Sequence, residues 1–235
     1  MKTMRLDKFL SECGLCTRSE SKVLLKKGAV TVNGEKILKG ETKIDPENDE
    51  ITFKGEKVGY SKFEYYMLHK PAGVVSATED KNDKTVIDLV PKPHAKDIFP
   101  VGRLDKDTEG LLIITNDGET AHRLLSPKKH VDKTYFVRTK GKVTEEDKEK
   151  FKAGVDIGEK DLTLPADLEI LKSGDISESL ITIREGKFHQ IKRMFKSVGK
   201  EVIYLKRLSM GNIKLDESLE KGQCRKLTEE EIKRL

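Results

Sequence analysis

Apolar positions open the chain at helical spacing: Leu6, Phe9, Leu10 and Cys13 fall on one face of a predicted helix. A Gly14-Leu15-Cys16-Thr17-Arg18 turn leads to a second helix carrying Val23, Leu24 and Leu25, with Thr17 or Ser19 as its N-cap and Gly28 as its stop. The period then changes to two. Ala29-Val30-Thr31-Val32 reads as a strand, and Asn33-Gly34 is the preferred pair for a tight type I′ hairpin turn. Ile37 and Leu38 start the return, and Glu50-Ile51-Thr52-Phe53 closes a third strand. This module ends between Gly55 and Gly59, which divides the chain into domains 1–58 and 59–235. A core this small is marginal alone and calls for a tether or a ligand.

Beyond Tyr60, strand-like and helix-like stretches alternate without a regular βαβ repeat. Tyr65-Tyr66-Met67-Leu68 predicts a strand feeding His69-Lys70-Pro71-Ala72-Gly73, a loop fixed by Pro and Gly, and Val74-Val75-Ser76 resumes a strand. Residues 77–84 are polar and aperiodic, a surface loop. Residues 85–90 predict a short helix stopped by Pro91-Lys92-Pro93. Leu111-Leu112-Ile113-Ile114 predicts a buried strand, Asn116-Asp117-Gly118 a turn, and residues 119–125 a helix with Leu124 and Leu125 inward. A strand at Lys133-Thr134-Tyr135-Phe136-Val137 and a helix capped by Thr144 and its acidic first turn come next. Leu180-Ile181-Thr182-Ile183 is a strand, and Gly186 turns it into a helix over 187–195 with Ile191, Met194 and Phe195 on one side. The mix predicts an α+β fold.

Charge and composition narrow the function. Charged residues make up 37% of the chain and aromatics 6%, with no tryptophan, so the core is aliphatic and the surface heavily charged. The net charge is only +5, but it is uneven: residues 1–28 carry seven Lys/Arg against three Asp/Glu, and residues 184–207 eight against two. Two basic segments in a nearly balanced chain predict two contact faces for a polyanion, with solvated lysine faces as the alternative. No stretch resembles a signal peptide or a membrane span, and three cysteines are no disulfide framework, so a cytoplasmic protein is expected. Cys13-Gly14-Leu15-Cys16 lacks a second ligand pair for zinc and a βαβ setting for redox work. The five histidines show no ligand spacing, and no metal is expected. There is no Walker loop, dinucleotide fingerprint or internal repeat.

Three ordered segments, Arg5-Leu6-Asp7-Lys8-Phe9-Leu10, Thr17-Arg18-Ser19-Glu20 and Gly28-Ala29-Val30-Thr31-Val32-Asn33-Gly34, resemble the S4 RNA-binding module. Thr17 stands where a serine is usual, which retains the hydroxyl. The resemblance implies that Arg5, Lys8, Arg18, Lys22 and Lys26 meet RNA phosphates. Such contacts position RNA without reading its sequence.

The stretch with most chemistry in it is Gly102-Arg103-Leu104-Asp105-Lys106-Asp107-Thr108-Glu109-Gly110-Leu111-Leu112. A carboxylate at the junction of a turn and a buried strand can be aimed into a cleft while the strand holds its backbone still. Alone, the stretch also reads as an ordinary Asp-rich turn. It stands in order with Lys70-Pro71-Ala72-Gly73, with Lys133-Thr134-Tyr135, and with Glu185-Gly186-Lys187-Phe188-His189-Gln190-Ile191-Lys192-Arg193-Met194-Phe195. With Leu205-Lys206-Arg207, the tail Gly222-Gln223-Cys224-Arg225-Lys226-Leu227-Thr228 and the S4-like module in front, these resemble the RsuA-type family of rRNA pseudouridine synthases over nearly the whole chain.

That resemblance implies a mixed, largely antiparallel sheet with flanking helices, and an isomerisation. Uridine's glycosidic bond from N1 is broken and the base is rejoined through C5. It implies Asp105 as the catalytic aspartate, whether nucleophile or base, and Tyr135 against the target base. Lys192 would be the cation that keeps a carboxylate ionised in a water-poor cleft. Arg103 would fill space or bind phosphate as the nucleotide leaves the stack, and Leu205 would lie near the base or serve the core only. Asp107 with Thr108 is expected to shape the turn, and His189 to be structural or hydrogen-bonding. No cofactor is expected, because substrate and product are isomers. The expected substrate is a uridine of small-subunit (16S) ribosomal RNA within a pre-ribosomal particle, the protein being a monomer off the membrane. A large-subunit (23S) target and a non-catalytic assembly factor are the alternatives.

Overall fold

A computed structural model describes residues 3–46, 48–58, 63–91, 97–126 and 129–235. The chain forms two compact units, Met1–Glu64 with Lys92–Ile98, and Tyr65–Pro91 with Phe99–Leu235. Gly59 at the expected boundary, and Lys92 and Pro93 of the expected helix stop, lie outside the described residues.

In the first unit, β1 (Met4–Arg5) leads into α1 (Leu6–Glu12) and α2 (Arg18–Lys26), followed by β2 (Val30–Val32), β3 (Glu35–Lys36), β4 (Lys43–Ile44), β5 (Ile51–Phe53) and β6 (Glu56–Lys57). Thr17 caps α2: its hydroxyl accepts from the Glu20 N–H, and the Glu20 carboxylate accepts from the Thr17 N–H at 2.7 Å. Ser19 lies inside the helix. Asn33 and Gly34 have φ of 51° and 84°, as a type I′ turn requires. The strands run β3-β2-β5-β6, with β1 and β4 paired apart, over a core of Leu6, Phe9, Leu10, Leu25, Ile44 and Ile51 among others.

One expectation needs correction here. The returning strand is Glu35–Lys36 rather than Ile37-Leu38, because the two-residue turn pairs Glu35 directly with Val32 and leaves Leu38 58% exposed. On α2 only Leu25 of the three apolar residues is buried. Val23, two positions away, points to another side of the helix and is exposed.

The second unit contains β7 (Tyr65–Lys70), a 3-10 turn (Ile87–Leu89), β8 (Phe99–Pro100), β9 (Glu109–Thr115), α3 (Gly118–Leu125), β10 (Lys133–Lys140) and α4 (Glu145–Ala153). It continues through β11 (Asp167–Lys172), β12 (Ile176–Ile183), α5 (Gln190–Ser197), β13 (Glu201–Met210), β14 (Ile213–Lys214), β15 (Cys224–Lys226) and α6 (Glu229–Lys233). Its strands form one sheet in the order β11-β12-β10-β13-β9-β7-β15, with β14 on β13 and β8 on β9. Every pairing between these strands is antiparallel except β13 with β9, where Lys206 faces Glu109 and Arg207 faces Gly110. The fold is α+β with a mixed, largely antiparallel sheet, as expected. β9 is buried along its whole length, the state that its Leu-Leu-Ile-Ile run suits. β10 and β12 alternate buried and less buried positions, so each packs one face. Phe151 of α4 meets Phe195 of α5 edge-on, with ring centroids 5.1 Å apart.

Four details of this unit differ from the expectations. Val74-Val75-Ser76 is not a strand; only Val75 bridges, to Thr85, and the Ser76 hydroxyl is committed elsewhere. Residues 85–90 supply one 3-10 turn rather than a helix. Leu125 is 42% exposed, while Leu124 is buried. The helix expected over 187–195 begins at Gln190: the Gln190 side chain accepts the Lys187 N–H at 2.9 Å, and His189 is left-handed with φ of 47°.

Candidate active site

Asp105 lies in the turn before β9, and that turn is pinned from the loop after β7. Lys70 ends β7 with no exposed surface. Its ammonium donates to the carbonyl oxygens of Pro71, Asp105, Lys106 and Thr108, at 3.0, 3.0, 3.3 and 2.9 Å. Four acceptors share three protons. The Gly73 N–H donates to the Lys106 carbonyl at 2.7 Å. The Ser76 hydroxyl donates to the Leu104 carbonyl at 2.8 Å and accepts from the Leu104 N–H at 3.0 Å. Lys70-Pro71-Ala72-Gly73 is therefore a cradle for the backbone that carries Asp105. Burial pushes the Lys70 ammonium down to about 8, against the attraction of Asp107 and Asp105.

The Asp105 side chain opens onto a cleft lined by Tyr135, Ile183, His189, Lys192 and Leu205 among others. Lys192 arrives from the first turn of α5, oriented by its buried neighbours Ile191, Met194 and Phe195. Its Nζ stands 3.0 Å from Asp105 Oδ2 and 2.6 Å from Asp107 Oδ1. Burial works against the charged amine. Hydrogen bonds and attraction from Asp107 and Asp105 outweigh it and raise the Lys192 pKa. Burial likewise opposes the Asp107 carboxylate, and Lys192 again outweighs it, holding that group below its ordinary range. His189 Nε2 is 3.7 Å from the other oxygen of Asp105, Oδ1. Asp107 shares the lysine with Asp105, and His189 stands at the cleft.

Tyr135 on β10 and Leu205 on β13 are 7% and 6% exposed and form the cleft's wall. The β10–β13 register shifts between Thr134 and Tyr135, which re-aims the tyrosine. Opposite Tyr135 in the sheet is Arg207, 2% exposed, its Nε donating to the Leu111 carbonyl at 2.8 Å and its guanidinium carbon 6.0 Å from the Tyr135 ring centre. A Cβ on Gly110 would fall 2.2 Å from the Arg207 carbonyl oxygen, so the parallel seam beside the cleft closes only with glycine there. Arg103 also lines the cleft, exposed and with no ion pair to a described residue. Sequence reasoning missed the work of Lys70 and Arg207. The available signals were a lysine ending an apolar strand and an arginine in period with Leu205.

On the first unit, Arg5 is held by Asp7 through two hydrogen bonds of 3.1 and 2.6 Å, and Lys8 pairs with Glu12 at 3.5 Å. Arg18, Lys22 and Lys26 are exposed and have no ion pair with a described residue. Spaced by four on α2, they form one line with steps of roughly 6 Å. Among the described residues no group of three or more His, Cys, Asp or Glu could hold a metal ion. Burial pushes the Cys13 thiol up to about 12, an unreactive state. No described helix is long and apolar enough to cross a membrane.

A lysine-paired carboxylate in a cleft, with a separate helix-pair module bearing a line of exposed cations before it, suits an enzyme that acts on a polyanion. Comparison with known proteins gives the family. An S4-domain model matches residues 4–51, and an RNA pseudouridylate synthase model matches residues 64–197. An uncharacterized RNA pseudouridine synthase of Bacillus subtilis is 50% identical over 232 residues, 97% of each chain. The ribosomal small subunit pseudouridine synthase A of Vibrio cholerae is 44% identical over 230 residues, 97% of this chain and 98% of that one. A solved pseudouridylate synthase superposes with a TM-score of 0.68 at 40% identity, covering 98% of this chain and 99% of its own. The chain belongs to the RNA pseudouridylate synthases, in the S4-bearing RsuA-type family.

Proposed function

We propose that the chain isomerises one uridine of small-subunit ribosomal RNA to pseudouridine, with Asp105 as the group that attacks or deprotonates the target nucleotide. One observation carries the reading: Asp105 is the carboxylate at the head of the cleft, with Oδ2 held 3.0 Å from Lys192 and with Tyr135 and Leu205 across from it. Lys192 holds Oδ2 and leaves Oδ1 for the substrate. Tyr135 and Leu205 hold the uracil once it has left the stack, and Arg103 takes a backbone phosphate. Unstacking costs a few kcal/mol, supplied by contacts elsewhere on the RNA. Arg18, Lys22 and Lys26 give such contacts, spaced along one helix. Arg5 and Lys8 contribute less, since carboxylates already hold them. The small-subunit target is supported by the names of relatives that match nearly full length, from Vibrio cholerae at 44% identity and Haemophilus influenzae at 41%. The enzyme acts as a cytoplasmic monomer on RNA in an assembling particle.

The test uses full-length small- and large-subunit ribosomal RNA transcripts tritiated at uridine C5, because forming the C–C glycosidic bond releases that hydrogen. Wild type is expected to release tritium from the small-subunit transcript, and Asp105→Asn to bind it equally and release none. Turnover by Asp105→Asn near wild type would refute the role of Asp105. Release from large-subunit RNA alone would refute the target.

A further inference from the structure

Phe188 is the most exposed large apolar side chain among the described residues, at 67%. It stands at the rim of the cleft, next in sequence to His189, whose ring lines that cleft. The two rings stack, with centroids 3.8 Å apart and planes 19° apart. One face of Phe188 rests on His189, and the exposed remainder is turned to solvent.

The backbone beneath this pair is held on several sides. Arg193 donates from Nη1 to the Phe188 carbonyl at 3.1 Å and to Glu159 at 2.7 Å, and from Nη2 to the Ile157 carbonyl. The Arg193 N–H donates to the His189 carbonyl at 3.0 Å. Gln190 accepts the Lys187 N–H and donates to Glu185, each at 2.9 Å. His189 is kept left-handed, with φ of 47°, a conformation uncommon outside glycine. The phenyl ring is carried on this constrained backbone, stacked on His189 and turned to solvent. It is presented.

We propose that the stacked Phe188–His189 pair is a platform for an unpaired base of the substrate RNA, the nucleotide next to the target uridine. Protein aromatic rings bind unstacked bases face to face, and such contacts tolerate any base. His189 Nε2 lies 3.7 Å from Asp105, so the ring on which Phe188 stacks adjoins the group that meets the target nucleotide. A flipped uridine leaves its neighbour without a stacking partner, and Phe188 replaces it. The platform selects a uridine flanked by an unpaired base, in a loop or bulge, over one in a continuous helix. This inference rests on the reading of Asp105 as the catalytic group.

The test compares Phe188→Ala, Phe188→Leu and Phe188→Trp with wild type on the tritiated small-subunit transcript, under single turnover. Stacking of one base predicts that Phe188→Ala raises the half-saturating RNA concentration about tenfold, with the rate at saturation within about twofold. Phe188→Trp should restore affinity and Phe188→Leu should not, which separates π-stacking from apolar burial. An abasic nucleotide beside the modified uridine should abolish the difference between wild type and Phe188→Ala. Phe188→Leu behaving as wild type, or Phe188→Ala binding as wild type, would overturn the platform. The second result would also turn attention to a protein partner for this ring. Filter binding of the transcript, read separately, keeps the two readings apart. A wild type that binds but makes no pseudouridine overturns the function, while the affinities of the three variants still judge the platform.

Discussion

Replacing Lys70 with methionine removes the amine and keeps most of the stem volume. In water-free surroundings the ammonium's three protons make charge-assisted hydrogen bonds worth about 1.5–3 kcal/mol each, or about 4.5–9 kcal/mol together. Against this stands the cost of burying the charge, which pushes the ammonium down to about 8 and is on the order of 3 kcal/mol. The difference leaves the native protein about 3 kcal/mol poorer in Lys70→Met at pH 7, within a range of about 1–6, or roughly 6–12 °C in Tm. The pH dependence has a definite sign. Below about pH 8 the amine is charged both folded and unfolded. Between about 8 and 10.5 the unfolded chain binds the extra proton, so this group makes wild-type stability rise with pH, a rise that Lys70→Met lacks. Urea unfolding at pH 7 and at pH 10 reads both effects. Single-turnover isomerisation reads the third, because a displacement of about 1 Å at Asp105 costs on the order of a hundredfold in rate. A variant with wild-type stability and wild-type rate would refute the cradle. Lost stability with an intact rate would detach it from catalysis.

Three further outcomes are expected. Exchanging Arg18, Lys22 and Lys26 together for glutamine should flatten the log–log salt dependence of RNA affinity by about 2–3 units; an unchanged slope would remove α2 as the RNA clamp. Gly110→Ala should be destabilised by about 3 kcal/mol or more, seen as lost soluble yield or lowered Tm, because φ is +106° and the new Cβ meets the Arg207 carbonyl at 2.2 Å. Arg225 donates to both oxygens of Glu231 at 2.8 Å and holds that carboxyl down to about 2. Its contribution is therefore complete above the ordinary pKa of 4.5 and is lost as pH falls toward 2. Arg225→Met should be less stable than wild type by about 1–2 kcal/mol at pH 7, after discount for partial exposure, and the gap should close in acid. A gap that persists at pH 2 would mean lost packing instead.

What was legible in the chain was local chemistry with its own short-range partner. Thr17 and Glu20 form a capping box three residues apart, Asn33-Gly34 dictates a turn through two positive φ angles, and Leu111-Leu112-Ile113-Ile114 is apolar enough to need both faces covered. What was not legible was β13. Its ten residues run through the middle of the sheet, but buried Arg207 and half-buried Lys206 break the apolar period that marks a strand. Its burial is stabilised by the Leu111 carbonyl and the Tyr135 ring, partners that only the folded sheet supplies. Val74-Val75-Ser76 failed in the opposite sense. Its apolar residues have strand propensity, but the Ser76 hydroxyl is drawn to the Leu104 backbone instead of a ladder.

The same distinction explains the site. Asp105, Tyr135 and Lys192 were found as residue types in ordered motifs, since a carboxylate, a phenol and an amine are visible in any sequence. The sharing of Lys192 between Asp105 and Asp107 was not, because two carboxylates two residues apart look alike until a cation from α5 reaches both. Lys70 is the sharper case. A lysine before Pro71 reads as a surface residue, and lysine is rarely buried without a carboxylate partner. Here backbone carbonyls take that place, and all but one belong to the turn carrying Asp105. The two motifs therefore make one device: the first supplies a buried cation that fixes a backbone, and the second places its carboxylate on that backbone. Their separation in the chain hides this, and the β7–β9 pairing, in which Lys70 lies opposite Gly110, closes it.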